Sequence, residues 1–195
     1  MRCFWVNLNN QKYIDYHDLE WGVPLHDDQK LYELFILECF QAGLSWECIL
    51  NKRESFRRAF DGFDIDEVTQ YGEEKINLLM QDSSIIRHRK KIEAAISNSR
   101  IFKDIQREYG TFDSYIWSFT RNQIIVEPCD SKTSSFLSDT IALDLKKRGM
   151  RFAGSVTIYS FLQAAGIING HTQECKLFHR NKNKGILSCQ KKYMP

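Results

Sequence analysis

Apolar side chains recur along this chain mostly every third or fourth position, the spacing of helices that bury one face. Asp27-Asp28 can cap a helix running to about Ala42, where Gly43 interrupts the pattern. Ser45 can cap the next helix, on which Trp46, Ile49, Leu50, Arg53, Phe56 and Phe60 share a face. Further helices are expected near 66–80, 87–104, 112–119 and 137–148, with Gly149 stopping the last. Ser155 opens a strongly apolar stretch, from Val156 to Ile168, long enough for a buried helix. Extended character is confined to residues 123–127. The pattern predicts an all-α domain.

One residue contradicts the polarity of its own helix face. At about 100° per residue, with Leu31 at zero, Leu34 falls at about −60°, Phe35 at +40°, Ala42 at +20° and Glu38 at −20°. Glu38 therefore stands in the middle of the apolar stripe, where a carboxylate is costly unless it is paired or used. A Glu that snorkels to the rim, or meets an arginine across the core, is the structural alternative. Three of the four tryptophans (Trp5, Trp21, Trp46) lie in the first 46 residues, with Tyr13 and Tyr16 among them. These rings could all be core. Gathered around a carboxylate, they would also suit a flat cationic ligand such as a methylated purine, through stacking and cation–π attraction.

Composition narrows the setting. A chain of 195 residues, 43% hydrophobic and 27% charged, suits one compact domain with a core that needs no disulfide staples. No apolar run reaches a membrane span and the first residues do not read as a signal peptide, so a cytoplasmic protein is expected. The net charge of +2 is uneven: residues 176–195 carry six Lys/Arg and no acid, so the body is acidic overall. Nucleic acid would have to be met by local patches, of which two are visible, Arg87-His88-Arg89-Lys90-Lys91 and Lys146-Lys147-Arg148 with Arg151. Either could be no more than a solvated helix face. A single helical domain over 1–178 and a basic, flexible tail over 179–195 are expected.

The six cysteines include no CxxC pair. His171 and Cys175, spaced i, i+4, would point the same way from a helical turn, and Cys3 and His17 add two ligands from the other end of the chain. A Cys₂His₂ set of this kind is a closed tetrahedral Zn2+ shell, structural because it leaves no position for water. The alternative is a core histidine and a loose terminal thiol.

Several longer segments carry a specific likeness: Arg2-Cys3-Phe4-Trp5-Val6, the stretch from Tyr13 to Pro24, Gln41-Ala42-Gly43-Leu44-Ser45-Trp46, Ile85-Ile86-Arg87-His88-Arg89, and Tyr159 to Gly166 leading into His171 and Cys175. Over about residues 1–175 the sequence resembles the 3-methyladenine DNA glycosylase I family of base-excision repair enzymes. The resemblance implies a helix-hairpin-helix glycosylase fold, with Cys3, His17, His171 and Cys175 binding a structural Zn2+ that joins the two termini. It implies that Glu38, Tyr16 and Trp46 hold the alkylated base, inside a pocket walled by Trp5, Tyr13 and Trp21. Gly43 and Leu44 match the small loop that fills the space left by an extruded nucleotide. A hairpin over residues 83–89 (Ser83, Ser84, Arg87, Arg89), with Lys147 and Arg151, would hold phosphates of double-stranded DNA. The expected reaction is monofunctional release of 3-methyladenine from alkylated DNA, by a monomer; a non-catalytic base- or DNA-binding protein on the same fold is the alternative. One departure stands out. Ser84 lies where family members commonly carry glycine, and a serine held left-handed there would cost about 1 kcal/mol.

Overall fold

The structure, a computed structural model, describes residues 1–128 and 132–179 and the backbone of residues 186–188. Its centre is helix α2 (Asp28–Gln41), started by Asp27, whose side chain accepts from the Lys30 N–H. All ten residues from Leu31 to Phe40 are buried, because helices pack around α2 on several sides: α3 (Trp46–Ala59), α6 (Arg89–Tyr109), α7 (Phe112–Ser118) and α9 (Ser155–Ala164). A helix buried all round has no solvent face for its acids, and so both Glu33 and Glu38 end up inside. Ser45 caps α3 as its position suggests, through the Cys48 N–H. Gly149, at φ +98°, follows the end of α8 (Phe136–Lys147), which packs against α9.

Three local features differ from the reading of the sequence. The helix expected near 66–80 is two helices, α4 (Ile65–Thr69) and α5 (Glu73–Gln81), separated by Gln70, Tyr71 and Gly72. The N-terminal segment folds as a short α1 (Gln11–Asp15) running straight into a π-helical turn (Tyr16–Glu20), with a 3₁₀ turn (Asp61–Phe63) further on. The domain is mostly helical rather than all-α. A parallel three-stranded sheet runs in the order β2-β1-β3, formed by β1 (Ile124–Val126), β2 (Ile168–Asn169) and β3 (Ile186–Ser188). Only β1 was legible, because strands of two or three residues carry no alternation to detect. Ile168 reads as the last turn of a helix, yet α9 ends before it, with Gly166 at φ +70° and the Ile167 N–H donating back to the Leu162 carbonyl. β3 falls in the stretch expected to be a flexible tail; the rest of that stretch beyond His179 lies outside the described residues.

The end of α9 fixes the segment that follows the π turn. A Cβ at Gly166 would stand 2.4 Å from the Val23 carbonyl carbon, so only glycine lets the two backbones meet there. The Gly22 and Leu25 N–H groups donate to the Gln163 and Ala165 carbonyls. Trp21 is thereby carried to the top of α9.

Candidate active site and metal group

Glu38, on the buried turn of α2, faces a cavity of about 180 Å³. The π turn brings Tyr16 to one wall, at 5.3 Å from the Trp46 ring at the start of α3. Widened turns of this sort recur at functional sites because the extra residue per turn re-aims a side chain. Trp5 packs against Tyr13 at 5.5 Å and edge-on to Trp21 at 4.8 Å, closing the other side. All six residues named from the sequence for this pocket line it. Gln41, Ser160 and Gln163 line it as well and were missed. Ser160 and Gln163 are polar residues three apart in the apolar stretch from Ile158 to Ala165, the same kind of break that exposed Glu38.

Glu38 is 3% exposed, and its carboxyl has no hydrogen bond or ion pair among the described residues. The arginines that could have met it are taken: Arg53 binds Glu33 and Glu20, and Arg57 binds Glu33. Burial alone pushes the Glu38 carboxyl up to about 8, so with no cation beside it the group keeps its proton at pH 7. A cation brought into contact would draw the proton off. Burial first, and the nearby Glu38 second, raise the Tyr16 phenol well above its ordinary value, so it remains a donor. The indole N–H of Trp46, closed off from solvent, likewise has no partner among the described residues. A larger cleft of about 640 Å³ lies beyond Tyr16, but ion pairs among Glu20, Glu33, Arg53 and Arg57 occupy its polar groups. The smaller cavity has the unspent chemistry.

Behind the aromatic wall, Cys3, His17, His171 and Cys175 bring their ligand atoms within 4.8 Å of one another, all four buried. The Cys3 and Cys175 sulfurs each stand 3.5 Å from His171 Nδ1, and Cys175 Sγ stands 3.6 Å from His17 Nε2. With metal bonds of about 2.3 Å to sulfur and 2.0–2.1 Å to nitrogen, the S···N edges of a tetrahedral Zn2+ shell come to about 3.5–3.6 Å, so the donor set fits that ion. His17 Nδ1 pairs with Asp18 Oδ1 at 2.8 Å, which leaves Nε2 for a metal, and burial holds the imidazole neutral. Asp18 in turn binds Arg2 and Lys176, one from each end of the domain. His171 and Cys175 do not sit on a helical turn as their spacing suggested; an irregular turn, closed by the Cys175 N–H on the Thr172 carbonyl, converges them instead. The Trp21 ring stacks edge-on to His171 at 4.6 Å and Trp5 to His17 at 5.3 Å, so this group backs the pocket directly.

The residues named for DNA are spread over three surface loops. Gly43, at φ +80°, and Leu44, 38% exposed, form the turn between α2 and α3. Residues 82–88 join α5 to α6, with Arg87 exposed and Ser83 and Ser84 held through their carbonyls by Lys52. No residue of this hairpin is left-handed: the Ser84 N–H donates to Asp82 Oδ1 at 2.8 Å, and the anticipated strain at Ser84 is absent. Arg89 is committed to Glu73 and Asn77 of α5, bracing the hairpin from behind. Lys147 is exposed at the end of α8, and Arg151 is exposed while its backbone is clamped at both N–H and carbonyl by the buried amide of Asn98.

Comparison with known proteins points one way. The sequence profile of the methyladenine glycosylase family matches residues 5–179. DNA-3-methyladenine glycosylase 1 of Escherichia coli (strain K12) is 43% identical over 185 residues, covering 93% of this chain and 98% of that protein. A crystal structure of 3-methyladenine DNA glycosylase I superposes with a TM-score of 0.86 at 42% identity, covering 90% of this chain and 98% of the other. A variant of a 3-methyladenine DNA glycosylase I in complex with 3-methyladenine gives 0.85 at 34% identity, covering 90% and 96%.

Proposed function

Because the chain belongs to the methyladenine glycosylase family, we propose that its residues divide among them the steps of that family's reaction. The activity is that of a monofunctional DNA-3-methyladenine glycosylase: hydrolysis of the N-glycosidic bond of N3-methylated adenine in DNA, giving free base and an abasic site. The observation that carries the residue-level reading is the buried Glu38 carboxyl, without a partner and facing a ring-walled cavity.

A base in the stack cannot reach such a cavity, so the nucleotide is extruded from the duplex. Leu44 enters the gap as a wedge beside Gly43 and offsets part of the few kcal/mol of unstacking. In this reading α5, the turn and α6 form a helix-hairpin-helix unit. Ser83, Ser84 and Arg87, with Lys147 and Arg151 on the neighbouring loops, take the phosphates and give register without sequence preference. Arg89 acts by bracing the hairpin. The setting proposed is a cytoplasmic monomer working on double-stranded DNA.

Methylation at N3 leaves the adenine positively charged and makes it a good leaving group, so the bond needs little acid assistance. As the cation enters, Glu38 loses its proton and accepts hydrogen bonds from the base edge, while Tyr16 and Trp46 pack their rings against it. Trp5, Tyr13 and Trp21 exclude water around the base. Water adds at C1′ as the C1′–N9 bond breaks; the bonding pair stays on the base, which leaves neutral, and the proton of the water passes to solvent. Neutral adenine gains less from the carboxylate and the ring faces, which is the source of selectivity. Cys3, His17, His171 and Cys175 would hold a Zn2+ with a closed shell, supplying cohesion between the ends of the domain and a firm backing for Trp5 and Trp21.

Chromatography of bases released from methylated duplex DNA tests the assignment. Glu38→Gln is expected to slow 3-methyladenine release about a hundredfold, the scale of losing one preorganised charged contact. Release at the wild-type rate would remove Glu38 from the mechanism.

A further inference from the structure

Lys91 is the third residue of α6, one turn past the hairpin, and its side chain does not point to solvent with the rest of the basic run: it is 8% exposed. Its ammonium donates to the carbonyl of Phe40 at 2.8 Å and to that of Ala42 at 2.5 Å, with the Phe152 ring 6.0 Å away. Those carbonyls close the last turn of α2. In a longer helix the Leu44 N–H would satisfy Phe40, but it turns back to Gln41 at 2.7 Å, and the Gln41 side chain holds the Leu44 carbonyl. A cation at the negative end of the α2 dipole is favourable there, and it meets carbonyls the helix leaves open. Ala42 is followed at once by Gly43 and Leu44, and Phe40 lies two residues after Glu38. One ammonium thus joins three parts: the helix that carries the pocket acid, the turn that carries Leu44, and the first turn of the helix behind the hairpin.

We propose that Lys91 is a positioning residue for base extrusion, fixing the Leu44 turn at a set distance from the phosphate-holding hairpin. The proposal rests on the wedge and hairpin roles given above. The hairpin determines where the duplex lies, and Leu44 must meet the stack in register with it; slack between them leaves a bound duplex with its base unflipped. Lys91 takes no part in the pocket's grip on a free base, nor does it act as an attacking amine, since its nitrogen is held on two backbone carbonyls and does not line the cavity.

The test separates extrusion from base binding. For Lys91→Met, kcat/KM on methylated duplex DNA should fall by about ten- to a hundredfold, the cost of roughly an ångström of misplacement. Affinity for free 3-methyladenine, read by tryptophan fluorescence, should stay within about twofold, and excision from single-stranded methylated DNA should fall less than excision from duplex. In a double-mutant cycle the loss caused by Leu44→Ala should shrink at least about threefold on the Lys91→Met background. If both losses simply multiply, the wedge stands and Lys91 has no hold on it. An equal loss of free-base binding would make Lys91 a packing residue and overturn the proposal. If Leu44→Ala alone leaves duplex excision intact, the wedge reading fails and the proposal fails with it. Should Lys91→Met not fold, Lys91→Gln keeps one amide donor for one carbonyl, and duplex excision by it at the wild-type rate also overturns the proposal.

Discussion

The base pocket and the Cys/His group stand back to back, sharing Trp5 and Trp21, and they treat buried polar atoms in opposite ways. Around the Cys/His group each side chain is spoken for: the ligand atoms converge, His17 rests on Asp18, and Asp18 rests on Arg2 and Lys176. In the pocket, Glu38 has no partner and the Trp46 N–H has none. Leaving such groups unpaired costs on the order of 1–3 kcal/mol each, more for a group that must ionise. A protein keeps that cost where a ligand will supply the missing partner, and removes it where the structure must simply hold. The contrast distinguishes a working site from a scaffold even though both are built of buried titratable residues.

The largest effect is expected on the scaffold side. If the Cys/His group holds Zn2+ as proposed, treatment with a chelator, or the change Cys175→Ser, should lower Tm by more than about 10 °C, since a structural Zn2+ shell contributes folding energy outright. Release of one equivalent of zinc during chelation, read with a chromogenic indicator, should accompany the drop. A chelated sample that melts normally would mean the four ligands are only a close-packed core cluster, and the comparison above would lose one of its halves.

On the pocket side the same kind of change should stabilise. Glu38 has its ordinary value near 4.5 in the unfolded chain and about 8 in the fold, so between those pH values the folded state keeps a proton the unfolded state has lost. Stability therefore falls as pH rises through this window, by up to about 1.4 kcal/mol per unit, and levels off above it. Glu38→Gln removes that penalty. Its Tm should exceed the wild-type value by a margin that grows from pH 5 to pH 8 and is constant beyond, while base release slows about a hundredfold. Wild-type kcat/KM, which reports the free enzyme, should rise with pH towards about 8 as the ionised acid becomes available. A variant less stable than wild type at pH 9 would show Glu38 to be a structural acid like Glu33.

Much of this contrast was legible before any coordinates. Glu38 announced itself because a charge in the centre of an apolar stripe violates the helix period, and the rings around it are dense in the first 46 residues. Ser160 and Gln163 carried a weaker version of the same violation and were passed over as ordinary interruptions of an apolar run. The protonation state of Glu38 was not legible: it depends on where Arg53 and Arg57 go, and only the fold shows that Glu33 takes them both. The Cys/His group could be named, but the reason its atoms meet could not, because an irregular turn after β2 does what a helical turn was expected to do. The sheet was largely invisible, since its strands are too short for periodicity and are defined by partners distant in sequence. Lys91 was hidden for a related reason: a run of basic residues reads as one solvated face, and nothing local says that its fifth member turns inward to the end of another helix.

The smallest expected effect asks on which side of the comparison the hairpin belongs. Ser84 stands where the family resemblance led to an expected glycine, and a left-handed serine would have made the hairpin a strained, functional turn. Instead its N–H meets Asp82 and its carbonyl meets Lys52, as in the satisfied surroundings of the Cys/His group. Ser84→Gly then relieves nothing and adds freedom only to the unfolded chain, a loss of about 0.5–1 kcal/mol. Calorimetry should show Tm lower by about 2–3 °C, with duplex affinity changed by less than about twofold. A rise in Tm would mean that this serine is strained after all, and that the hairpin, like the pocket, holds part of its cost in reserve for the DNA.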